Sequence, residues 1–434
     1  IEVKVYENER FTINRVEISG NDKTYDRVIR RELYTRPGDY FDRSAIIRSV
    51  RALGVLQYFN PETLKPDVQP AENDRTAVNV TYNVEERSTD TFNASLGFAG
   101  SFGLTGAVGF TFNNFSISEP IKGGAGQVFN FNWEFGQANR YRTFTVGFTE
   151  PWLFNKPITV GFNLFDTYYN FSTLNQRRTG ASVNIGKRFK WPDDYWRGDW
   201  SLRYMWNDNK NQSIYYRKGR YSEITVGQTF SRTSFNNQFF PSRGSKFSLA
   251  TNFAMGAFGI GETDYLKNEL TFEMYNPLMQ IGNSDKLVFA ILSEVGYLAG
   301  LKSDTTISQI ELYRMGGNGL GGFNVTPLRG YEDNRVGPSS GGKLQAKYAA
   351  ELRFALSLDP MPIFLYGFAE AGNVWSDIDQ ADIFDLKRSS GIGIQMMVNP
   401  IGIIGFSYGY GFDPARGETD ESGWQFLFHL GQRR

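Results

Sequence analysis

The chain has 434 residues, 46 basic against 46 acidic side chains, one histidine and no cysteine, so its formal net charge is zero. Neutrality argues against an electrostatic nucleic-acid binder, which needs a basic excess to neutralise phosphate, and the missing cysteines exclude disulfides, thiolate zinc sites and thiol catalysis. The surpluses are glycine, at 46 residues, and aromatic residues, at 16%, while no stretch reaches the roughly 18 uninterrupted apolar residues of a membrane-spanning helix.

The chain opens in mid-pattern with IEVKV, so residues 1–8 are expected to be the end of a preceding domain or a linker, and the whole a fragment of a longer mature protein. FTINRVEISG (11–20) alternates Ile13, Val16 and Ile18 with polar residues as a strand does, and Asn21 and Asp22 follow as a turn. TYDRVIRREL (24–33) reads as a helix with Thr24 able to cap it. A second helix follows Asp42 as N-cap, with Ile46, Ile47, Val50 and Leu53 as its apolar positions and Gly54 placed to end it. AVNVTYNVEER (77–87) then sets Val78, Val80, Tyr82 and Val84 against Asn79, Thr81, Asn83 and Glu85. Strand, helix, helix, strand, strand over residues 9–87 makes an α+β unit. Its sheet is three strands wide, with an edge free to accept another strand.

From residue 90 the helical period disappears. In TFNASLGFAG (91–100), Phe92, Ala94, Leu96 and Phe98 oppose Asn93, Ser95 and Gly97; in AAELRFAL (349–356), Leu352, Phe354 and Leu356 oppose Glu351 and Arg353; near the end, Trp424, Phe426, Phe428 and Leu430 oppose Gln425 and His429. One apolar and one polar face per strand is the dyad pattern of a transmembrane β-barrel, whose outside meets lipid and whose lumen is wet. The segments fall near 90–101, 104–113, 127–137, 141–150, 157–169, 178–190, 197–209, 219–231, 244–256, 262–275, 285–298, 343–356, 362–375, 387–398, 401–412 and 421–431. Sixteen is an even number, as a closed antiparallel barrel requires. Aromatic clusters at segment ends, PWLF (151–154), KWPDDYW (190–196) and YYRKGRY (215–221), suit interfacial girdles, and the glycines suit bent strands or a tight lumen.

One connection is long. Residues 299–342 have no strong strand pattern and carry GGNGLGGF (316–323) and TPLRGYEDNRVGP (326–338). Arg329 there is either a free charge in a solvent loop or, if the loop folds back into the lumen, a pin, because the two following strands each place a carboxylate on the lumen face, Glu351 and Glu370. A guanidinium's planar fork suits such partners.

LRGY (328–331), preceded by LYRMGGNG and followed by EDNRVGP, resembles the arginine-glycine-aromatic motif in the sixth extracellular loop of the BamA family of outer-membrane barrel-assembly insertases. FTEPWLF (148–154), SRTSFNNQFFPSRGSKFSLATNFA (231–254), AELRF (350–354) and FAEAGNVW (368–375) resemble further stretches of that family in the same order, and residues 9–87, down to the VEER junction, resemble its final POTRA domain. The resemblance spans essentially the whole chain. It implies a mostly β fold, a 16-stranded antiparallel transmembrane barrel over 88–434 preceded by one α+β POTRA domain over 9–87, in the bacterial outer membrane with the POTRA domain in the periplasm.

The resemblance also implies an insertase that folds client barrels into the outer membrane without ATP, and the chain holds no GxxxxGK[ST] phosphate loop. Implied partners are unfolded outer-membrane clients, periplasmic chaperones, the accessory lipoproteins of the assembly complex and membrane lipid, with no nucleic acid and no cofactor. The implied site is Leu328, Arg329, Gly330 and Tyr331 docked in the lumen on Glu351 and Glu370, where the family often has aspartate as the second acid. A weak seam between the first and last strands is implied as well, involving Phe92, Leu96, Gly97, Phe98, Trp424, Phe426, Phe428 and Gly431, at which a client strand pairs. Gly100 is a further glycine of the first strand that would weaken pairing there. The ending GQRR lacks the usual terminal aromatic and is expected to leave few closing hydrogen bonds. Other readings are a two-partner-secretion transporter of the same superfamily, a passive porin, and a barrel enzyme built on His429. A lone lumen histidine without metal-ligand clusters argues against the last, and neither catalytic nor metal residues are assigned.

Overall fold

The computed structural model describes residues 9–430 apart from 61–62, 73, 100–102, 171–174, 212–217, 238, 283, 303–306, 308–309, 318–324, 359–360, 383 and 399–401. Residues 1–8, Gly100 and Gly431 therefore lie outside the described residues. So do the side chains of Leu96, Phe98 and His429.

The N-terminal sheet is built from β1 (Thr12–Ser19), β2 (Lys65–Ala71) and β3 (Asp74–Asn83), with α1 (Asp26–Arg30) and α2 (Arg43–Leu56) inserted after β1. Its order is β1-β3-β2, with β3 parallel to β1 and antiparallel to β2. Alternation along β3 and the residues after it sends Val78, Val80, Tyr82 and Val84 inward against Ile13, Val28, Ile29, Leu53 and Phe59, all buried. Asp42 caps α2, its side chain accepting from the Ser44 amide, and the Ser44 hydroxyl and amide hold that carboxyl below the usual range.

Three details differ from the sequence reading. Gly54 stays inside α2, which ends on Gln57 in the left-handed region. Ile47 is 43% exposed, since its neighbour Ile46 takes the core-facing position. Thr24 does not cap α1, a helix of only 5 residues whose N-cap is Tyr25. The Thr24 amide donates instead to Glu86 Oε1 at 2.5 Å, and its hydroxyl accepts from Asn114 Nδ2 at 2.8 Å.

Asn114 lies near the end of a strand of the larger sheet, and the turn that follows it, with KGGAG at 122–126, packs on the small domain. The Tyr25 amide donates to the Gly124 carbonyl at 2.9 Å, and Arg31 lies over the Trp152 ring at 5.4 Å. Gly124 has φ +97, and a Cβ there would stand 2.0 Å from the Lys23 carbonyl oxygen. Gly124→Ala is therefore expected to cost about 1–3 kcal/mol locally and to speed amide exchange at Tyr25, read by hydrogen-exchange mass spectrometry of the full chain, while exchange in β3 stays unchanged.

The larger sheet has sixteen strands: β4 (Thr91–Ala99), β5 (Gly103–Phe115), β6 (Gln127–Gly136), β7 (Tyr141–Glu150), β8 (Ile158–Asn170), β9 (Asn175–Arg188), β10 (Trp196–Asn209), β11 (Gly219–Thr233), β12 (Gly244–Met255), β13 (Asp264–Ile281), β14 (Ser284–Ala299), then, past two short loop strands β15 (Arg314–Met315) and β16 (Val325–Thr326), β17 (Leu344–Ser357), β18 (Ile363–Trp375), β19 (Lys387–Val398), β20 (Gly402–Pro414) and β21 (Glu421–Leu430). Each strand neighbours the next in sequence, β14 passing to β17, and β4 and β21 stand at the two ends of the order. The count and placement agree with the sequence pattern. β13 runs further than its pattern, through Pro277, because register shifts at Pro277 and Met279 absorb the residue that cannot donate to the ladder.

Apolar side chains line one face of the strands: Leu202, Tyr204 and Trp206 on β10, Leu352 and Leu356 on β17, and Trp424, Phe426 and Phe428 on β21 are exposed, as Phe92 is on β4. Exposed large hydrophobics in such rows belong against lipid. Tyr221, grouped above with the girdle aromatics, is buried, because its position opposite Asn207 is an inward one.

Candidate functional site

The long connection is a folded unit. β15 and β16 pair in parallel, Gly316 donates to the Thr326 carbonyl at 3.0 Å, Gly317 to the Tyr331 carbonyl at 3.0 Å, and Val336 to the Met315 carbonyl at 3.1 Å. Residues 313–317 thus form a spine that satisfies the backbone of both flanking stretches, which is how a loop can be buried without orphaned polar groups. Tyr313, Met315, Leu328, Tyr331 and Val336 pack with Val374 into one apolar cluster. The segment, which shows no strong strand pattern in sequence, therefore contains two short strands, too brief at 2 residues each for any periodic signal.

Arg329 is the charged member of this unit. Its Nη2 lies 2.6 Å from Glu351 Oε1 and 2.6 Å from Glu370 Oε1, and its backbone amide donates to Glu370 Oε2 at 2.9 Å. The two acids come from adjacent strands, Glu351 on β17 facing Phe368 in the ladder and Glu370 on β18 facing Ala349. Both point inward and are at most 5% exposed. The Arg329 guanidinium carbon sits 3.8 Å from the centroid of the Phe368 ring and 5.2 Å from that of Tyr366, a cation–π seat in a desolvated setting.

Two further cations complete the cluster. Arg353 binds Glu351 Oε2 through Nε at 2.8 Å and Nη2 at 2.5 Å, and Lys347 Nζ is 3.2 Å from Glu370 Oε1. Each buried acid thus holds two bases, and none of the five charges is isolated, the condition under which buried ions are tolerated.

Backbone approach is what brings the arginine this deep. Gly330 has φ +88, and a Cβ on it would lie 2.9 Å from the Gly411 nitrogen and from the Tyr410 carbonyl carbon. On the receiving strand, a Cβ on Gly411 would lie 2.4 Å from the Gly330 carbonyl oxygen, and one on Gly409 would lie 3.1 Å from the Gly330 nitrogen. Tyr331 is fully buried, donates its hydroxyl to the Arg388 carbonyl at 2.8 Å, and accepts from the Asp413 amide at 3.4 Å.

The structure brings Leu328, Arg329, Gly330, Tyr331, Glu351 and Glu370 together, and Glu370 contacts Arg329 through both its side-chain oxygens. Sequence reading placed Arg353 on the inward face beside Glu351 and gave it no role. The spacing of two residues on one strand, acid then base on the same face, is the signal that finds it. Lys347 continues that face, whereas Gly409 and Gly411 carry no signal short of the fold.

An α+β domain of POTRA type followed by a sixteen-stranded antiparallel sheet with a loop arginine docked on inward-facing carboxylates defines a POTRA-bearing β-barrel protein. The family described as "Omp85 superfamily domain" matches residues 123–433, and the POTRA family described as "Surface antigen variable number repeat" matches residues 11–87. The chain belongs to the Omp85 superfamily, and within it is BamA-like. It is 23% identical over 445 residues to the outer membrane protein assembly factor BamA of Nitratidesulfovibrio vulgaris, covering 99% of this chain and 52% of that protein. It spans about half the length of the assembly-factor relatives it matches along its whole length. The crystal structure of BamA from Haemophilus ducreyi lacking POTRA domains 1–3 has the same fold, with a TM-score of 0.71 and 20% identity over 98% of this chain and 85% of that one. CdiB from Acinetobacter baumannii follows at a TM-score of 0.59 and 11% identity over 97% and 74%.

Gly330→Ala adds both a strained φ and a clash with β20, so about 1–3 kcal/mol of docking is expected to be lost. Limited proteolysis of the folded chain is expected to cut within 325–337 faster than in the unsubstituted protein, with the sheet left intact.

Proposed function

We propose that the chain is the barrel and adjoining POTRA portion of an outer-membrane assembly factor that folds and inserts client β-barrels. The barrel lies in the outer membrane with the POTRA domain in the periplasm. The observation that carries this reading is the Arg329 dock, in a chain similar to assembly factors along its whole length. A passive pore would explain the strand alternation but not the POTRA domain. Clients would be unfolded outer-membrane proteins, and the periplasmic chaperones and accessory lipoproteins of an assembly complex would deliver them. Client recognition would run through backbone edges and apolar surface, in keeping with zero net charge.

The insertion step would use β4 and β21, the two ends of the strand order, as a template. An edge presents unpaired amides and carbonyls, and in hydrocarbon these are costly enough that a client strand would pair with them as soon as they part. No nucleotide is needed, because the energy released is that of the client's own pairing and burial. The likeness to CdiB favours a second reading, two-partner secretion, in which the same lumen conducts a partner and the loop is its plug.

Arg329→Ala leaves Glu351 and Glu370 short of a cation, a loss of about 3–5 kcal/mol for a broken buried pair. Reconstituted in liposomes, the variant is expected to insert an unrelated unfolded barrel more slowly than the parent; an unchanged rate would remove the loop from the mechanism. Cysteines placed in strands 91–100 and 423–431 of this cysteine-free chain test the seam. Oxidised, the pair is expected to block insertion and reduction to restore it, whereas full activity of the locked protein points to secretion or another route.

A further inference from the structure

The turn between β11 and β12, residues 234–243, carries phenylalanine at 235, 239 and 240, and all three pack inward. By strand alternation it lies at the end of the sheet from which β4 starts. Phe239 and Phe240 meet the Phe364 ring at 5.4 and 5.2 Å, Phe235 meets Tyr275 edge-on at 5.1 Å, and Phe240 is 3% exposed. Side-chain hydrogen bonds within the turn hold this arrangement. The Asn237 carboxamide oxygen accepts from both the Phe239 and Phe240 amides, at 2.8 and 2.9 Å, and that of Asn236 accepts from the Ser242 and Arg243 amides. Asp285 on β14 then ties the turn down, accepting from the Ser242 hydroxyl at 2.5 Å and from Arg243 at 3.0 and 3.1 Å.

What the wedge touches continues upward. Phe364, Tyr366 and Phe368 stand on the inward face of β18, their rings 6.0 and 6.2 Å apart in succession. Arg353 lies over Tyr275 and Phe364, and Arg329 over Tyr366 and Phe368. One continuous column therefore joins the turn phenylalanines to the loop arginine, and packed columns of this kind transmit displacement because interiors leave little free volume.

We propose that Phe239 and Phe240 are positioning residues for the loop: they hold the aromatic column on which Arg329 is seated. The inference concerns the seat of the loop and stands whether or not the chain inserts clients, so the readout below does not use insertion. In the double variant Phe239→Ala/Phe240→Ala of the full chain, amides in 325–337 are expected to exchange at least about tenfold faster, with β9 and β10 unchanged. Phe240→Leu, which refills the space without the ring, is expected to restore part of the protection. A matched outward variant, Leu202→Ala, does not move the readout.

Unchanged loop exchange in the double variant would overturn the proposal, as would loop exchange that rises only together with the whole sheet. Should the double variant fail to fold, Phe240→Cys in the cysteine-free chain reports on the seated turn. Its thiol is expected to react with a charged maleimide far more slowly than that of Tyr195→Cys in the neighbouring turn, and equal rates would count against a seated wedge.

Discussion

A single guanidinium shared by two buried carboxylates is the constraint on which the lumen is organised. Burying five ionised groups is unfavourable unless each is paired, and pairing here depends on register: Glu351 and Glu370 meet Arg329 only because β17 and β18 align Glu351 with Phe368 and Ala349 with Glu370. A slip of one residue between these strands would turn an acid toward lipid, where nothing repays its desolvation. The ion cluster therefore selects the register of the sheet as much as the sheet positions the cluster. The stabilisation of a buried pair over an apolar alternative is small, and its value here is that no other alignment satisfies it.

Glycine is the second half of that arrangement. The arginine reaches the carboxylates because the loop backbone lies directly on the backbone of β20, with Gly330 against Gly409 and Gly411. Similar clearances recur higher up, where a Cβ on Gly296 would meet the Tyr313 ring and one on Gly372 the Met315 sulfur. A composition surplus that by itself suggests curved strands thus has a more specific cause at these positions. They are the floor on which an inward loop rests, and a methyl group at any of them would lift the loop by about its own width.

Most of the architecture was legible in the chain because it follows from periods. A dyad repeat over ten or more residues survives local noise, so the strands of the larger sheet emerge close to their observed limits; in the small domain the pattern locates both helices, β1 and β3 but not β2, whose two prolines and short length leave no alternation to read. The misses have more than one origin. Thr24 is a good cap in isolation and is taken by distant partners, Glu86 and Asn114. Gly54 is a good helix stop, yet α2 runs on to Leu56 and Gln57 adopts the left-handed conformation. At the site, the acids were visible through their parity on strands, but the seat beneath the arginine, Phe368 and Tyr366, looks like ordinary strand aromatics until the loop is laid over it. The turn phenylalanines are equally silent, since nothing local separates an inward wedge from an interfacial aromatic cluster.

Holding a loop by charge rather than by apolar contact alone has a consequence for any state in which the lumen opens. The attraction between ions about 4 Å apart is on the order of 4 kcal/mol at the effective dielectric of a partly buried site and about 1 kcal/mol in bulk water. The dock is strong only while dry. The apolar column beneath it and the loop's own cluster above it keep it so, and admitting water at either end would weaken the ion pairs before any contact was broken. Retention of the loop and exclusion of water from the ion cluster are in this sense one property. A lock of this kind holds while it is dry and yields as soon as it is wetted.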